Sequence, residues 1–344
     1  WPMTVFLTPD LKPFFAGTYF PPKDAYGRPG FPTLLSSLAE LWHKDQEKLV
    51  SQADTIVNHL NSAQSENSKI DKNILDNALS HWNSSFDKRW GGFGPAPKFP
   101  NTGAILHLLN DYNVNGNQTS LYSAVKTLDS MYQGGIYDHI GGGFARYSVD
   151  EKWLVPHFEK MLYDNIQYIN LLTKFYQKTK KEYYKKKLIQ TINFINQEFK
   201  NEENLYGSAY DADSEGIEGK YYVWSYEELK KLLENDFALF EKKYEISKSG
   251  NFEGKNILVE SKNELKEEEQ NKIAKIEDKL IQERKNRVKP FFDDKSQTDL
   301  NAFILDTLIS SSIVLGDNNL KDETIKTLEI LNNKLSNKIY HCYD

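Results

Sequence analysis

Residues 158–178 have the sequence FEKMLYDNIQYINLLTKFYQK, which is the most regular stretch of the chain. Its large apolar side chains recur at spacings of three and four residues: Tyr168, Leu171, Leu172, Phe175 and Tyr176. Because an α-helix has about 3.6 residues per turn, this spacing places all of them on one face. We therefore predict an amphipathic helix over 158–178 that packs against an apolar core.

The same periodicity predicts further helices after residue 70. They lie at 71–86, 102–113, 118–132, 182–200, 263–286, 298–315 and 319–337. Some connections between them are short and polar, whereas those at 89–100, 134–157 and 205–224 are long and rich in glycine, aromatic and charged residues. Helical hairpins with short loops at one end and long loops at the other predict a ring of helices with a functional face at the long loops.

The first part of the chain has a different pattern. Two short apolar runs within residues 2–20 flank a Pro-Asp turn signal, and they predict a strand, a turn and a second strand. From Thr33 the spacing of apolar residues becomes helical and continues to about Leu60. Residues 62–69 are small and polar, a composition that is typical of a linker between domains.

The composition excludes several classes of protein. With 344 residues, of which 39% are hydrophobic, the chain can bury the cores of more than one domain. Its 43 basic and 49 acidic residues give a net charge of −6, without the basic surface that a nucleic-acid partner requires. No apolar run approaches the roughly 18 residues of a membrane span, so we predict no membrane partner. Cys342 is the single cysteine, which excludes an intrachain disulfide, and we predict neither a metal nor a cofactor.

Residues 134–165 form the stretch that is richest in groups able to carry chemistry. A histidine near a carboxylate can transfer protons at neutral pH, and this stretch supplies both. The catalytic candidates are Asp138, His139, His157, Glu159 and Asp164. At the start of the predicted helix, His157, Lys160 and Asp164 share one face because they are three and four residues apart. The alternative interpretation is a cluster of capping and salt-bridge contacts at a helix start.

A second acidic and aromatic stretch precedes Trp224. Asp211, Asp213 and Glu215 resemble the start of a calcium-binding loop, but Tyr222 occupies the position where that loop needs a glutamate. Carboxylates beside Tyr222 and Trp224 also fit a sugar subsite, in which aromatic faces stack on rings and acids bind hydroxyl groups. The alternative interpretation is an acidic β-hairpin turn.

Two other segments indicate structural roles. The loop over 89–100 is rigid and aromatic, and we interpret it as a packing element. Asp293 and Asp294 precede the helix predicted from residue 298, where acidic residues most often cap the helix. Nucleophilic catalysis has little support, because the sequence contains no Gly-x-Ser-x-Gly elbow.

Six segments of the chain closely resemble the spermatogenesis-associated protein 20 family. They are residues 1–10 (WPMTVFLTPD), 17–22 (GTYFPP), 97–100 (PKFP), 137–165, 211–216 (DADSEG) and 251–258 (NFEGKNIL). The resemblance implies a thioredoxin-like domain followed by an (α/α)6 toroid, similar to six-hairpin glycosidases and N-acylglucosamine 2-epimerases. The expected fold class is mainly α: an incomplete (α/α)6 toroid preceded by a truncated thioredoxin-like α/β remnant.

The resemblance also implies the domain boundaries. Residues 1–61 correspond to the C-terminal part of a thioredoxin-like domain, in which Pro2 falls on the cis-proline position and the Cys-x-x-Cys segment is expected upstream of Trp1. Residues 62–69 are the linker. Residues 70–344 correspond to the first half of the toroid, because the predicted helices supply roughly half of twelve. We therefore expect the chain to be a fragment with an open ring.

The first functional hypothesis is a carbohydrate-active toroid with an epimerase-like or isomerase-like site and a sugar-like ligand. His157, with His139 as its partner, exchanges protons with a sugar carbon, and the three candidate carboxylates orient them. Arg146 and Lys160 stabilise developing negative charge. The predicted substrate-binding residues are Arg146, Tyr147, Lys160, Asp211, Asp213, Glu215, Tyr222 and Trp224. A hydrolase would instead use two carboxylates about 5–9.5 Å apart.

Two alternative hypotheses belong to other classes. In the first, the chain is part of a thioredoxin-type redox or protein quality-control module, which acts on a protein substrate and uses the toroid as a non-catalytic scaffold. In the second, the chain is a pseudo-enzyme whose loop charges only pair with one another. For all three hypotheses we expect a cytoplasmic protein.

Overall fold

The computed structural model describes residues 3–25, 27–62, 73–336 and 340–343. The chain divides into two compact units, Trp1–Ile74 and Leu75–Asp344. Pro2 and residues 63–69 of the predicted linker lie outside the described residues, and Ser62 is the last residue of a helix. The position predicted for the cis-proline therefore has no structural description.

The first unit contains a hairpin and two helices. Strand β1 (Thr4–Leu7) pairs antiparallel with β2 (Pro13–Gly17), as the strand-turn-strand pattern predicts. Helices α1 (Phe31–Lys44) and α2 (Gln46–Ser62) follow, and α2 packs on β2. The prediction of one continuous helix from Thr33 to Leu60 is wrong, because Asp45 has φ −149° and ψ 59°, outside the helical region.

The second unit is dominated by helices. They are α3 (Ile74–Ser85), α4 (Thr102–Asn115), α5 (Gln118–Gln133), α6 (Leu162–Thr179), α7 (Glu182–Glu198), α8 (Tyr226–Leu233), α9 (Phe237–Lys243), α10 (Glu267–Arg284), α11 (Thr298–Leu315) and α12 (Asn318–Leu335). The predicted helices are all present, which confirms the mainly α fold class. The short helices α8 and α9 were not predicted, since two turns give too few residues to establish a 3.6-residue period.

Three helical hairpins pack side by side in chain order. They are α4 with α5, α6 with α7, and α11 with α12, and α6 also packs against both α4 and α11. Helices α4, α6 and α11 thus form one row and their hairpin partners flank it, the arrangement of an (α/α) toroid. Within the described ranges there are three such hairpins, half of the six in a complete (α/α)6 ring.

The hairpins are held together by a continuous apolar core. Buried side chains such as Leu108, Leu128, Ile166, Leu188 and Leu308 come from both helices of each hairpin or from neighbouring ones. Among the described helices, α11 alone is long and apolar enough to cross a membrane by length and composition. In this fold it packs against α6 and α12, and its buried side chains include Ile304, Leu305 and Leu308.

Strands of two residues each lie in the connection between α5 and α6, in the connection after α7, directly before α11, and at the C-terminal end of the described residues. These are β3 (Tyr147–Ser148), β4 (Pro156–His157), β5 (Lys160–Met161), β6 (Ala209–Tyr210), β7 (Asp213–Ser214), β8 (Ile217–Glu218), β9 (Phe292–Asp293), β10 (Ser296–Gln297) and β11 (Cys342–Tyr343). Strand β6 lies between β5 and β9, so it joins the loops before α6 and α11. The prediction that Asp293 caps α11 is wrong, because it lies in β9 and the helix begins after Gln297.

Candidate functional site

The segment that precedes α6 is extended and not helical. His157 lies in β4 opposite Tyr147, and Lys160 lies in β5 opposite Tyr210. Burial alternates along it: His157 and Glu159 are half-buried, whereas Phe158 and Lys160 are buried. In extended backbone, side chains three residues apart project to opposite sides. The predicted helix face shared by His157, Lys160 and Asp164 is therefore wrong, because pairing with β3 and β6 holds the backbone extended up to Leu162.

On one side of this segment lies the α6 N-terminal cluster, which we define as Arg146, His157, Glu159, Asp164 and Glu218. His157 Nδ1 is 2.9 Å from Glu218 Oε1, and His157 Nε2 is 3.6 Å from Glu159 Oε2. Arg146 Nη1 donates to the same Glu159 oxygen at 3.1 Å, and the Arg146 backbone N–H donates to the Glu159 carbonyl at 2.9 Å. The predicted catalytic residues His157 and Glu159 are thus brought together with the predicted binding residue Arg146.

Asp164 lies in the first turn of α6, next to this ion pair. Its Oδ2 atom is buried and accepts no hydrogen bond from the described residues. Burial raises the pKa of Asp164 to about 7; the nearby Arg146 opposes this shift and Glu159 adds to it. A carboxyl group with this pKa is present in both protonation states near neutral pH, as a general acid or base requires.

Asp164 borders an open cleft of about 440 Å³ beside the N-termini of α4 and α6, which we call the α4–α6 cleft. Phe99 lines it with 46% of its surface exposed and stacks on Tyr147, with ring centroids 4.7 Å apart. Tyr147 in turn stacks on the His157 ring at 5.0 Å. Gln167 lines the same cleft and accepts a hydrogen bond from the Thr102 hydroxyl. The cleft therefore offers an aromatic face, a carboxyl group and an amide to one ligand.

The loop over 89–100, which was interpreted as a packing element, has two roles. Lys98 is fully buried, and its Nζ donates to Asp87 at 2.5 Å and to the carbonyls of Gly91 and Glu151 at 2.9 Å each. These bonds fix the loop from within and agree with the packing interpretation. Phe99, the residue after Lys98, faces the cleft, and the sequence pattern alone did not separate the two roles.

Residues 156–161, from β4 to β5, are called the β5 segment below. On its buried side, Asp138, Lys160 and Arg284 form an ion triad. Asp138 Oδ2 is 2.8 Å from Lys160 Nζ, and Asp138 Oδ1 is 2.9 Å from Arg284 Nη1. The two cations hold the pKa of Asp138 well below its usual range, against the effect of burial. Asp138 was predicted to orient a histidine; its partners are these two cations, and Arg284 was missed because it lies 146 residues away in the chain.

His139 belongs to a third group. Its ring is buried; Nε2 contacts the Gly134 carbonyl at 3.0 Å and Nδ1 lies 3.5 Å from Glu260 Oε1. The same Glu260 oxygen binds Lys187 at 3.0 Å and Lys243 at 3.2 Å. The two histidines predicted to act as partners therefore have different carboxylates, and nothing in the sequence pattern indicated Glu260.

The acidic stretch before Trp224 forms a β-hairpin, which was the alternative interpretation. Strands β7 and β8 pair around Glu215 and Gly216, both with positive φ. Asp211, Asp213 and Glu215 are exposed, and Glu215 binds Lys220 at 2.7 Å. The sugar-binding role of these acids stays a prediction, whereas Glu218 of the same hairpin reaches His157.

Of the two aromatic residues that follow this hairpin, Trp224 has no ring face open to a ligand, whereas Tyr222 is half-buried. Trp224 is 0% exposed, and the Arg287 guanidinium covers its ring at 3.8 Å. Tyr222 lies beside the ion triad, where its ring is 4.8 Å from Lys160 Nζ and stacks on Phe158 at 5.7 Å.

Within the described ranges, no group of three or more His, Cys, Asp or Glu residues is placed to hold a metal ion.

Comparison with known proteins gives both sequence and structural relatives. Residues 1–61 match the family model Thioredox_DsbH, described as a protein of unknown function, DUF255. The chain is 34% identical over 367 residues to spermatogenesis-associated protein 20 of Homo sapiens, covering 93% of this chain and 46% of that protein. It is 41% identical over 250 residues to uncharacterized protein B0495.5 of Caenorhabditis elegans, covering 68% of this chain and 34% of that protein.

Among solved structures, the chain is similar to a cellobiose 2-epimerase from Spirochaeta thermophila, with a TM-score of 0.46, 11% identity and coverage of 76% of this chain and 51% of that one. It is also similar to a D-mannose isomerase, with a TM-score of 0.46, 11% identity and coverage of 81% and 57%. The chain spans less than half the length of the two curated relatives. Over the residues that it shares with them, this chain belongs to the spermatogenesis-associated protein 20 family.

Proposed function

We propose that the second unit binds a sugar-like molecule in the α4–α6 cleft and transfers a proton to or from it. The observation that carries this proposal is the position of Asp164: its Oδ2 atom is buried without a partner among the described residues, and the residue lines an open cleft. A buried polar atom without a partner is unfavourable by about 1–3 kcal/mol. It is therefore tolerated best where a ligand supplies the missing hydrogen bond.

The walls of the cleft suit a molecule with one apolar face and several hydroxyl groups. The half-exposed ring of Phe99 offers a surface on which the C–H face of a sugar ring can stack. Gln167 and Asp164 provide an amide and a carboxyl group for hydroxyl groups at the ring edge. A volume of about 440 Å³ accommodates a monosaccharide or disaccharide.

The α6 N-terminal cluster supplies groups for the proton transfer. Asp164, with a pKa of about 7, donates or accepts the proton at neutral pH. Arg146, held by Glu159 at 3.1 Å, stabilises the negative charge that develops on a substrate oxygen when a neighbouring carbon loses its proton. His157, fixed by Glu218 at 2.9 Å, is the second acid-base group of the cluster. This assignment retains His157, Glu159, Asp164 and Arg146 from the sequence-based set.

A solvent-isotope experiment tests the proposal. The chain is incubated in D2O with free hexoses, amino sugars and disaccharides, and deuterium incorporation at the carbon next to the carbonyl is followed by NMR. We expect incorporation with at least one sugar and its loss in Asp164→Asn, whereas Asp306→Asn on the exposed face of α11 keeps the activity. Release of a smaller sugar without deuterium incorporation would indicate a hydrolase. If no sugar of the panel binds by thermal shift or reacts, the proposal is wrong.

The family match of residues 1–61 favours a second candidate function, a thioredoxin-type module that acts on protein disulfides. The chain has a single cysteine, Cys342, and cannot itself form a redox-active pair. Dithiol chemistry would require a Cys-x-x-Cys segment in a longer protein. An insulin-reduction assay of the full reading frame, with and without these cysteines, tests this candidate, and a full reading frame that lacks such a pair would remove it.

A further inference from the structure

A second, narrower cleft, of about 70 Å³, lies beside the ion triad, on the opposite side of the β5 segment from Glu159. We call it the Lys160–Arg284 cleft. Its charged lining residues are Lys160, Arg284, Lys285, Lys289, Asp138 and Glu198. Aromatic rings form much of the remaining wall: Phe194, Tyr210, Tyr221 and Tyr222. Four cations against two carboxylates give the cleft a positive excess in a chain whose net charge is −6.

This excess is not neutralised within the cleft. Lys160 and Arg284 are both buried and share one carboxylate, that of Asp138. The other carboxylate, Glu198, lies 2.6 Å from Lys289 and is therefore already paired. The carbonyl end of α10, which ends at Arg284, adds roughly half a negative charge. The buried groups are thus two cations that share one carboxylate, and the exposed Lys285 adds a further positive charge at the mouth of the cleft.

The buried cations also have unused donors. A guanidinium group has five N–H bonds, and the Arg284 side chain makes one hydrogen bond to the described residues, from Nη1 to Asp138. Lys160 Nζ donates to Asp138 Oδ2 at 2.8 Å and to the Gly142 carbonyl at 2.9 Å, which leaves one of its three N–H bonds. The Arg284 guanidinium carbon lies 5.2 Å and 5.6 Å from the rings of Tyr221 and Tyr222, which orient its plane.

We propose that the Lys160–Arg284 cleft binds the dianionic group of a phosphate monoester. The charge of a phosphate monoester matches the positive excess, and its oxygens fit the fork of N–H donors on Arg284. Lys160 donates from the floor of the cleft, and Lys285 and Lys289 attract the anion at its mouth. The aromatic wall packs against the organic part of the ligand. This inference is independent of the proton transfer proposed for the α4–α6 cleft.

The experiment measures binding of inorganic phosphate, a hexose 6-phosphate and the parent hexose by thermal shift and isothermal calorimetry, at ionic strength matched with sodium chloride. We expect both phosphates to stabilise the chain, the hexose phosphate to bind more tightly, and the parent hexose not to bind at this cleft. Lys285→Gln should weaken phosphate binding by about two- to fivefold. The matched control is Lys275→Gln, which removes one exposed charge from the same helix outside the cleft and should leave the affinity unchanged.

Arg284→Lys keeps the charge but loses the fork of donors, and we expect about tenfold weaker phosphate binding. If this variant fails to fold, the comparison of Lys285→Gln with Lys275→Gln decides. The proposal is overturned if phosphate gives no stabilisation beyond that of sodium chloride, or if the two lysine variants lose affinity equally. Binding of the parent hexose as tight as that of its phosphate, with competition between the two, would also overturn it.

Discussion

Asn165 and Asn301 are each the fourth residue of their helix, α6 and α11, and each binds the backbone N–H and carbonyl of one loop residue with both ends of its side-chain amide. Asn165 Oδ1 accepts the Phe144 N–H at 2.8 Å and its Nδ2 donates to the Phe144 carbonyl at 3.0 Å. Asn301 does the same with Tyr206, at 2.8 and 2.9 Å. Each Nδ2 also donates to the carbonyl four residues earlier in the chain. The two hairpins therefore repeat one device that fixes a functional loop to a helix start.

Asn165→Ala should destabilise the second unit by about 2–4 kcal/mol, because the buried Phe144 N–H and carbonyl lose their partners. Asn301→Ala should have a similar effect through Tyr206. The measurement is the free energy of unfolding in urea. Asn110→Ala, an exposed position on α4, is the control and should change stability by less than about 0.5 kcal/mol. An Asn165→Ala variant as stable as this control would show that the amide does not fix the loop.

Asp164 should make stability depend on pH. Its pKa is about 4 in the unfolded chain and about 7 in the fold, so the folded state binds a proton that the unfolded state releases. The wild type therefore loses stability relative to Asp164→Asn as pH rises from about 4 to about 7, by about 3 kcal/mol. The measurement is urea unfolding of both proteins between pH 4.5 and about 8. Parallel stability curves for the two proteins would contradict the raised pKa, and Asp306→Asn is expected to give such a parallel curve.

The helices of the second unit could be predicted because their apolar periodicity is long and their packing follows from it. Helix α6 illustrates this: Leu171, Leu172 and Phe175 are buried as the spacing requires. The prediction was wrong for residues 158–161, because the N-terminal boundary of this helix is set by pairing between strands that are distant in the chain. Lys160 pairs with Tyr210, fifty residues later, and no local pattern records such a partner.

The candidate site, like the helices, could be predicted only in part from the sequence. Sequence reasoning placed chemistry in the 134–165 block, and residues of that block do line both clefts. It did not predict that Glu159 and Lys160 would lie on opposite sides of the segment before α6, because that follows from the extended backbone. It also missed Arg284, whose charge decides the character of the second cleft. Arg284 is the last residue of α10, and the many charged residues of that helix predict only a face exposed to solvent. The burial of Arg284 arises from packing against the loop that carries Asp138.

The exposed ring of Phe99 should contribute to sugar binding in the α4–α6 cleft. Phe99→Ala should weaken the affinity for the sugar with the largest thermal shift by about tenfold, since about 60 Å² of apolar contact contributes about 1.5 kcal/mol. Calorimetric titration measures this change. Phe291→Ala removes another exposed ring, 73% exposed, and is the control that should retain full affinity. Equal affinities of Phe99→Ala and wild type would place the sugar elsewhere.

Asp138 should be essential to the stability of the β5 segment because it is the shared partner of two buried cations. Asp138→Asn leaves Lys160 and Arg284 without a counter-ion and should cost about 3–5 kcal/mol in urea unfolding. Because folding lowers the pKa of Asp138, this difference should persist above pH 4 and shrink as pH falls below it. Adding Lys160→Met to Asp138→Asn removes one of the two unpaired charges, and the double variant should recover about 1–2 kcal/mol relative to Asp138→Asn. A double variant less stable than Asp138→Asn would show that Lys160 stabilises the fold through contacts other than its charge.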